Sequence, residues 1–108
     1  MREMTIDQAA AAFENGASFI DVRETGEYAA GHAPGAVNIP MGRLTSHLDE
    51  ISRDEPVLVI CASGNRSSAM ADVLVAQGFD AVNVIGGTSA WVESGRPVQT
   101  GAATGGAR

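Results

Sequence analysis

Lysine is absent from this chain of 108 residues; all seven of its basic side chains are arginine. The lysine of a phosphate-binding P-loop, the lysine of a Schiff-base enzyme and a lysine general base are thereby excluded. Cysteine occurs once, at Cys61, so there is no internal disulfide, no CxxC redox pair and no cysteine-rich zinc site. The two histidines, His32 and His47, stand at no ligand spacing with that cysteine, and no metal is expected. Aromatic residues number five: three Phe, one Trp and one Tyr. The core must therefore be built from small and β-branched side chains. No apolar run approaches ~20 residues and no basic-then-apolar leader is present, so neither a membrane span nor a secretory signal is expected. Basic residues are outnumbered, thirteen acids to seven, giving a net charge of −6 and a pI near 4.6. Nucleic acid and anionic membranes are not expected as partners. The expected compartment is the cytosol.

What is present fits one domain of ordinary size, expected over residues 1–98. A Gly/Ala/Thr-rich tail over residues 99–108 is expected to be disordered. Thr5 and Gln8 are spaced as a capping box that opens a helix through Phe13, and Gly16 stops it. Phe19 to Val22 reads as a short strand, Glu24 to His32 as a charged, turn-rich stretch, Pro34-Gly35 as a turn and Ala36 to Ile39 as a second strand. Gly42 to Ile51 reads as a helix with Leu44, Leu48 and Ile51 on one face. Val57 to Ile60 is the best-defined strand, an unbroken branched apolar run of the kind covered on both faces. A helix follows the loop after Cys61 and runs to about Gln77, with Ala69, Met70, Val73 and Leu74 as its expected buried face. Gly78 takes the C′ position and lets Phe79 fold back on Leu74. Ala81 to Ile85 reads as a strand, Gly86-Gly87 as a tight turn and Thr88 to Ser94 as a short helix carrying Trp91. Strands alternating with helices predict the α/β class, an open, mostly parallel sheet with helices on both faces. Ligands of such folds bind beyond the carboxyl ends of the strands, which singles out Cys61.

The segment Cys61-Ala62-Ser63-Gly64-Asn65-Arg66-Ser67-Ser68 joins the most buried strand to a helix N-terminus. A loop of this kind turns backbone N–H groups inward, and the helix dipole adds partial positive charge. Gly64 permits the backbone angles of such a cradle, and Arg66 adds a full charge. A thiolate there is stabilised, as is an anion bound to it. A lone cysteine at the end of an apolar strand is more often a small buried hydrophobe. The adjoining Ser-Gly-Asn-Arg-Ser has no place in a core and argues for a nucleophile.

Cys61 to Ser67 resembles the active-site loop of rhodanese-domain sulfurtransferases, Cys-x-x-Gly-x-Arg-Ser. Phe19 to Pro40, reading FIDVRETGEYAAGHAPGAVNIP, is similar to the N-terminal signature of that family through Asp21-Val22-Arg23, Tyr28, His32 and Pro34-Gly35-Ala36. Val84 to Pro97 is similar to its C-terminal signature through Gly86-Gly87, Ala90-Trp91, Gly95 and Pro97. The resemblance implies a rhodanese-like fold with a five-stranded sheet, and a Cys61 thiolate that takes a sulfane sulfur from thiosulfate or another persulfide donor. The Cys61 persulfide then passes its terminal sulfur to cyanide or a thiol, a two-step covalent cycle with ping-pong kinetics. The resemblance implies no metal or organic cofactor, and as partners a small anionic donor, a thiol or cyanide acceptor and, in one variant, a sulfur-relay protein. Lowering a thiol pKa from ~8.5 to ~6.5 raises its thiolate fraction near neutral pH roughly 12-fold. The accompanying loss of nucleophilicity removes about 6- to 10-fold. The loop is therefore expected chiefly to stabilise the persulfide anion and the charge on the donor.

Two other classes share the fold or the family. Phosphatases and arsenate reductases related to rhodaneses have five residues between Cys and Arg, whereas four stand here, Ala62 to Asn65. The smaller ring suits one sulfur atom rather than a tetrahedral phosphoryl group. Non-catalytic binding modules of the family usually lack the cysteine. Ala62 departs from the bulkier polar or basic residue of many thiosulfate-using relatives, which leaves one less charge for a dianionic donor.

Around the loop, Asp21 and Arg23 follow a strand expected to end on the same side as Cys61. Arg23 is expected to pair with Glu27, or else to attract an anionic donor. His32 is expected to brace a turn, His47 to lie on an exposed helix face and Trp91 to pack in the core. Arg43 stands in a connecting segment that could reach the site and restore the positive charge missing at Ala62. Ser67 caps or lines the loop.

Overall fold

A computed structural model describes residues 1–101. In chain order the elements are β1 (Arg2–Met4), α1 (Ile6–Glu14), β2 (Ser18–Asp21), α2 (Thr25–Ala30), β3 (Val37–Asn38), β4 (Val57–Ile60), α3 (Asn65–Ala76), β5 (Ala81–Val84) and α4 (Gly87–Glu93). Two 3-10 turns, Met41–Ser46 and Leu48–Glu50, lie between β3 and β4. The strands form one five-stranded sheet in the order β1-β5-β4-β2-β3, and every pairing between them is parallel.

The sheet forms because alternate residues of its strands reach two apolar layers. Along β4, Leu58 and Ile60 join Ile6 and Ala9 of α1, Tyr28 of α2 and Trp91 of α4. Val57, Val59 and then Cys61 point the other way, toward Ala71 and Leu74 of α3 and the 3-10 residue Leu44. Each fully buried branched side chain contributes about 1.5–3 kcal/mol. With every strand parallel, β2 and β4 end at the same edge of the sheet. The register Asp21↔Ile60 puts the residues that follow each strand side by side.

Local signals in the sequence account for several element ends. Thr5 Oγ1 accepts from the Gln8 N–H at 3.2 Å while Gln8 Oε1 accepts from the Thr5 N–H at 2.9 Å, so the capping box that opens α1 is closed in both directions. At the far end of α3, the Gly78 N–H donates to the Val75 carbonyl and the Phe79 N–H to the Leu74 carbonyl, both at 3.0 Å. This is the Schellman arrangement expected at Gly78, and it folds Phe79 into the layer that holds Leu74.

Three expectations are corrected, and one strand is added. The stretch Glu24 to His32 is not all turn: Thr25–Ala30 is α2, started by the Glu24 N–H on Glu27 Oε1 at 3.1 Å. The helix expected over Gly42 to Ile51 is instead the two 3-10 turns. Ser46 Oγ and His47 Nδ1 reach the Arg43 carbonyl at 2.9 and 2.7 Å and occupy the acceptor that an α-helical His47 N–H would use. The inward face of α3 is Ser67, Ala71 and Leu74, with Ala69 exposed. Finally, β1 was not located by its sequence; three residues are too few to show a period. Within the stretch expected as a tail, Gln99 pairs with His32 as an antiparallel bridge, and the Gly101 N–H donates to Ala29 at 2.8 Å. The rest of that tail, 102–108, lies outside the described residues. Among those described, no helix is long and apolar enough to cross a membrane.

Candidate active site

Cys61 is the first residue after β4 and is 1% exposed. Its surroundings are not sealed hydrocarbon. The Gly64 N–H points at Cys61 Sγ from 3.1 Å and Ser67 Oγ lies 3.2 Å from it. Burial pushes the thiol pKa up. The Ser67 hydroxyl, when its proton is turned to the sulfur, and the backbone N–H groups of Ser67, Gly64 and Ser63 pull it down and prevail, so the thiol ionises below its ordinary value.

The backbone makes this ring possible. Gly64, the N-cap of α3, takes a left-handed φ of 109° that turns its N–H inward. The loop is also clamped from α4. The Thr88 N–H donates to the Cys61 carbonyl at 2.8 Å and the Ser89 N–H to the Ala62 carbonyl at 3.0 Å. Gly87 allows that approach, because a Cβ there would lie 2.4 Å from the Cys61 carbonyl oxygen. With its carbonyls held by α4, the loop has its remaining N–H groups free to face the sulfur.

The structure distributes the other expected residues in three ways. Ser67, fully buried, lines the sulfur site, and Ser63 and Gly64 supply N–H groups to it. Asn65 opens α3 and is exposed. Ala62 borders a cavity of about 630 Å³ that is also walled by Arg23, Glu27, Ser89, Val92 and Val98.

Arg66 lies on the first turn of α3 but its guanidinium is held by α2. Nη1 meets Glu27 Oε1 at 2.8 Å and Nη2 meets Glu27 Oε2 at 2.9 Å, a two-pronged pair. The Arg66 hydrogen bonds hold the Glu27 carboxyl at about 2, against the opposing effect of burial. The same partner raises the Arg66 pKa, and the charges of Cys61 and Asp21 add to that effect. This corrects the expectation for Arg23, which does not pair with Glu27. It folds back on Asp21, with Nε 3.0 Å from Oδ1, Nη2 2.8 Å from Oδ2, and a further contact from Nη2 to the Gly31 carbonyl at 2.8 Å. Asp21 is fully buried and Arg23 nearly so, and the pair joins the end of β2 to the turn after α2.

His32 is buried, its Nδ1 donating to the Tyr28 carbonyl at 2.8 Å and its ring stacked on Tyr28 with centroids 3.6 Å apart. That is the bracing role expected. Trp91 packs in the core as expected and donates from Nε1 to the Pro97 carbonyl at 2.8 Å. Arg43 stands exposed on the first 3-10 turn and is not among the residues that wall the cavity.

Sequence reasoning missed two residues here. Glu27 was matched to the wrong arginine, because nothing in a sequence links it to Arg66 across 39 positions. Asn83 is 3% exposed and its Oδ1 lies 2.6 Å from Ser67 Oγ. A single amide within the apolar Ala81-Val82-Asn83-Val84 was the available signal.

A sulfur on a ring of inward amides at a strand end, clamped by the Thr88 and Ser89 N–H groups at the start of α4, is a specific architecture, and comparison with known proteins returns it. The model of the "Rhodanese-like domain" family matches residues 5–94. Thiosulfate sulfurtransferase GlpE of Actinobacillus pleuropneumoniae serotype 3 (strain JL03) is 40% identical over 100 residues, 91% of this chain and 93% of that protein. Among solved structures, a rhodanese-related protein from Thermoplasma volcanium superposes with a TM-score of 0.80 at 37% identity, over 91% of this chain and 97% of that one. A rhodanese-like domain protein from Staphylococcus aureus superposes with a TM-score of 0.78 at 35% identity, over 84% of this chain and 91% of that one. Fold, motifs and relatives agree, and the chain belongs to the rhodanese-like domain family.

Proposed function

We propose that the chain is a sulfurtransferase of the thiosulfate:cyanide type, with Cys61 as its nucleophile. The Cys61 thiolate attacks the outer sulfur of thiosulfate. The sulfur–sulfur bond of the donor breaks, sulfite leaves with the bonding pair, and a Cys61 persulfide anion remains. Cyanide or a thiolate then attacks the outer sulfur, takes it as thiocyanate or a new persulfide, and returns the Cys61 thiolate. The observation that carries this reading is the polar ring around Cys61 Sγ, with the Gly64 N–H at 3.1 Å and the Ser67 hydroxyl at 3.2 Å. Ala62, Ser63, Gly64, Asn65, Arg66 and Ser67 form the loop that holds the sulfur. Asp21 and Arg23 support it as a buried ion pair, with Arg23 in the cavity wall. The name of the Actinobacillus relative, a thiosulfate sulfurtransferase matched over most of both chains, supports the same chemistry. The phosphatase alternative is disfavoured by the four-residue spacing from Cys61 to Arg66 and by the engagement of Arg66 with Glu27. The acceptor is a thiophile, a free thiol or one carried on a relay protein, and the cytosol is the compartment in which a lone thiol stays reduced.

The test is mass spectrometry of the intact protein after thiosulfate treatment. The wild type gains one sulfur atom and loses it on adding cyanide, while Cys61→Ser gains none. Sulfur transfer that persists in Cys61→Ser overturns the assignment.

A further inference from the structure

A hydrogen-bonded chain runs from the outer strand of the sheet to the reacting sulfur. Glu3 of β1 is in register with Asn83 of β5, and its carboxylate accepts from Asn83 Nδ2 at 3.1 Å. Asn83 Oδ1 lies 2.6 Å from Ser67 Oγ, which in turn lies 3.2 Å from Cys61 Sγ. A serine hydroxyl carries one proton and an amide oxygen only accepts. The 2.6 Å contact therefore requires the proton of Ser67 to point at Asn83, which turns an oxygen lone pair toward the sulfur. That arrangement suits a thiol, whose S–H gains an acceptor, and opposes a thiolate.

Stabilising the thiolate through Ser67 means swinging the hydroxyl to the sulfur and leaving two oxygens 2.6 Å apart with no proton between them. Turning the Asn83 amide over would relieve this by offering Nδ2 to Ser67. It would also set Oδ1 against the Glu3 carboxylate. Glu3 thus fixes which end of the amide faces the serine.

We propose that Glu3 and Asn83 are positioning residues that hold the only proton of Ser67 away from Cys61 Sγ, keeping the unloaded sulfur more basic than its ring of amides alone would leave it. The inference rests on the reading of Cys61 as the reacting thiol. Its chemical benefit arises once the pKa lies below ambient pH, where a further fall adds almost no thiolate and still removes nucleophilicity, with a Brønsted slope of ~0.4–0.5. In the persulfide the negative charge sits on the outer sulfur, and the inner sulfur no longer competes for the Ser67 proton. The constraint therefore acts on the empty enzyme and is relieved by loading. The other charged groups around the chain are Arg66 of α3 paired with Glu27 of α2, the Asp21–Arg23 pair after β2, Glu93 of α4 at the cavity, and the Arg2–Asp80 pair beside β1. All are left in place by the substitutions below.

The test reads the ionisation of Cys61 from the pH dependence of its alkylation by iodoacetamide, checked by thiolate absorbance. Asn83→Ala is expected to lower the thiol pKa by about half to one unit, the worth of one hydrogen bond. Ser67→Ala, which removes the lone pair turned toward the sulfur, is expected to lower it as well, and in Ser67→Ala/Asn83→Ala the effect of the Asn83 substitution disappears. Glu3→Leu, at an exposed position, lowers the pKa only while Ser67 is present, and it carries the test if the buried substitution does not fold. A pKa unchanged or raised in folded Asn83→Ala or Glu3→Leu overturns the proposal, as does the same fall in the Ser67→Ala background. Sulfur loading of the wild type is followed in parallel. Its failure would count against the transferase reading while leaving the ionisation comparison intact.

Discussion

Gly87→Ala is the substitution that most directly probes how the sulfur ring is held. Gly87 has a φ of +59°, and a Cβ built there falls 2.4 Å from the Cys61 carbonyl oxygen and 2.7 Å from the carbonyl carbon and oxygen of Ala62. Ordinary contact requires the two segments to part by about 0.6–1 Å. The hydrogen bonds from the Thr88 and Ser89 N–H groups, at 2.8 and 3.0 Å, lengthen accordingly. An alanine in the left-handed region costs ~1–2 kcal/mol, and two weakened hydrogen bonds cost ~0.5–1.5 kcal/mol each. The expected destabilisation is ~2–5 kcal/mol, at roughly 4–8 °C of Tm per kcal/mol. Activity is expected to fall more steeply, because a misplacement of about 1 Å at reacting groups costs on the order of 100-fold. Gly95→Ala is the control: its φ is +81°, yet a Cβ there meets no described residue within 4 Å. It carries the conformational cost without the collision. Thermal melts and the rate of sulfur loading from thiosulfate are measured on both. If Gly87→Ala loads sulfur as fast as Gly95→Ala, the clamp from α4 is not what orders the ring.

Arg66→Ala is expected to raise the KM for thiosulfate several-fold while leaving Cys61 reactive to iodoacetamide; an unchanged KM would show that the donor's charge is met elsewhere. Glu27, with its pKa lowered to about 2, contributes through its ion pair at every pH above its ordinary value of 4.5, and loses that contribution as pH falls toward 2. The stability gap between wild type and Glu27→Gln is therefore constant from pH 5 to 7 and shrinks by pH 3 in urea melts. Because both side chains are about a third exposed, the gap is on the order of 1 kcal/mol or less, and a gap that widens with acid would contradict the pairing. Leu74→Ala empties a fully buried position under β4. It is expected to cost ~2–5 kcal/mol by urea denaturation, with the rate of sulfur loading per folded molecule unchanged.

The parts of the molecule that announce themselves in the sequence are those whose physics is local. The Thr5–Gln8 box, the Gly78 cap and the apolar run of β4 each need only a few neighbouring residues to be read. The sulfur loop was legible for the same reason, since its ring of N–H groups comes from one continuous stretch after β4. Elements set by distant partners were not. α2 is six residues long and contains Gly26, too short for a helical period, and is anchored by Glu27 reaching Arg66. The 3-10 turns replace a helix because two side chains compete for one carbonyl. Asn83 borders the site only because β5 lies beside β4, and that neighbourhood is a property of the sheet order rather than of any single strand.

Among the described residues, the groups that hydrogen-bond Cys61 Sγ are, apart from one serine hydroxyl, main-chain amides, and Ser63 and Asn65 on the same loop are exposed. The chemistry and the rim can thus change independently. Substitutions at those outward positions re-dress the mouth of the site for a different sulfur carrier while the amide ring beneath is inherited unaltered. Such a scaffold can exchange clients without relearning its reaction.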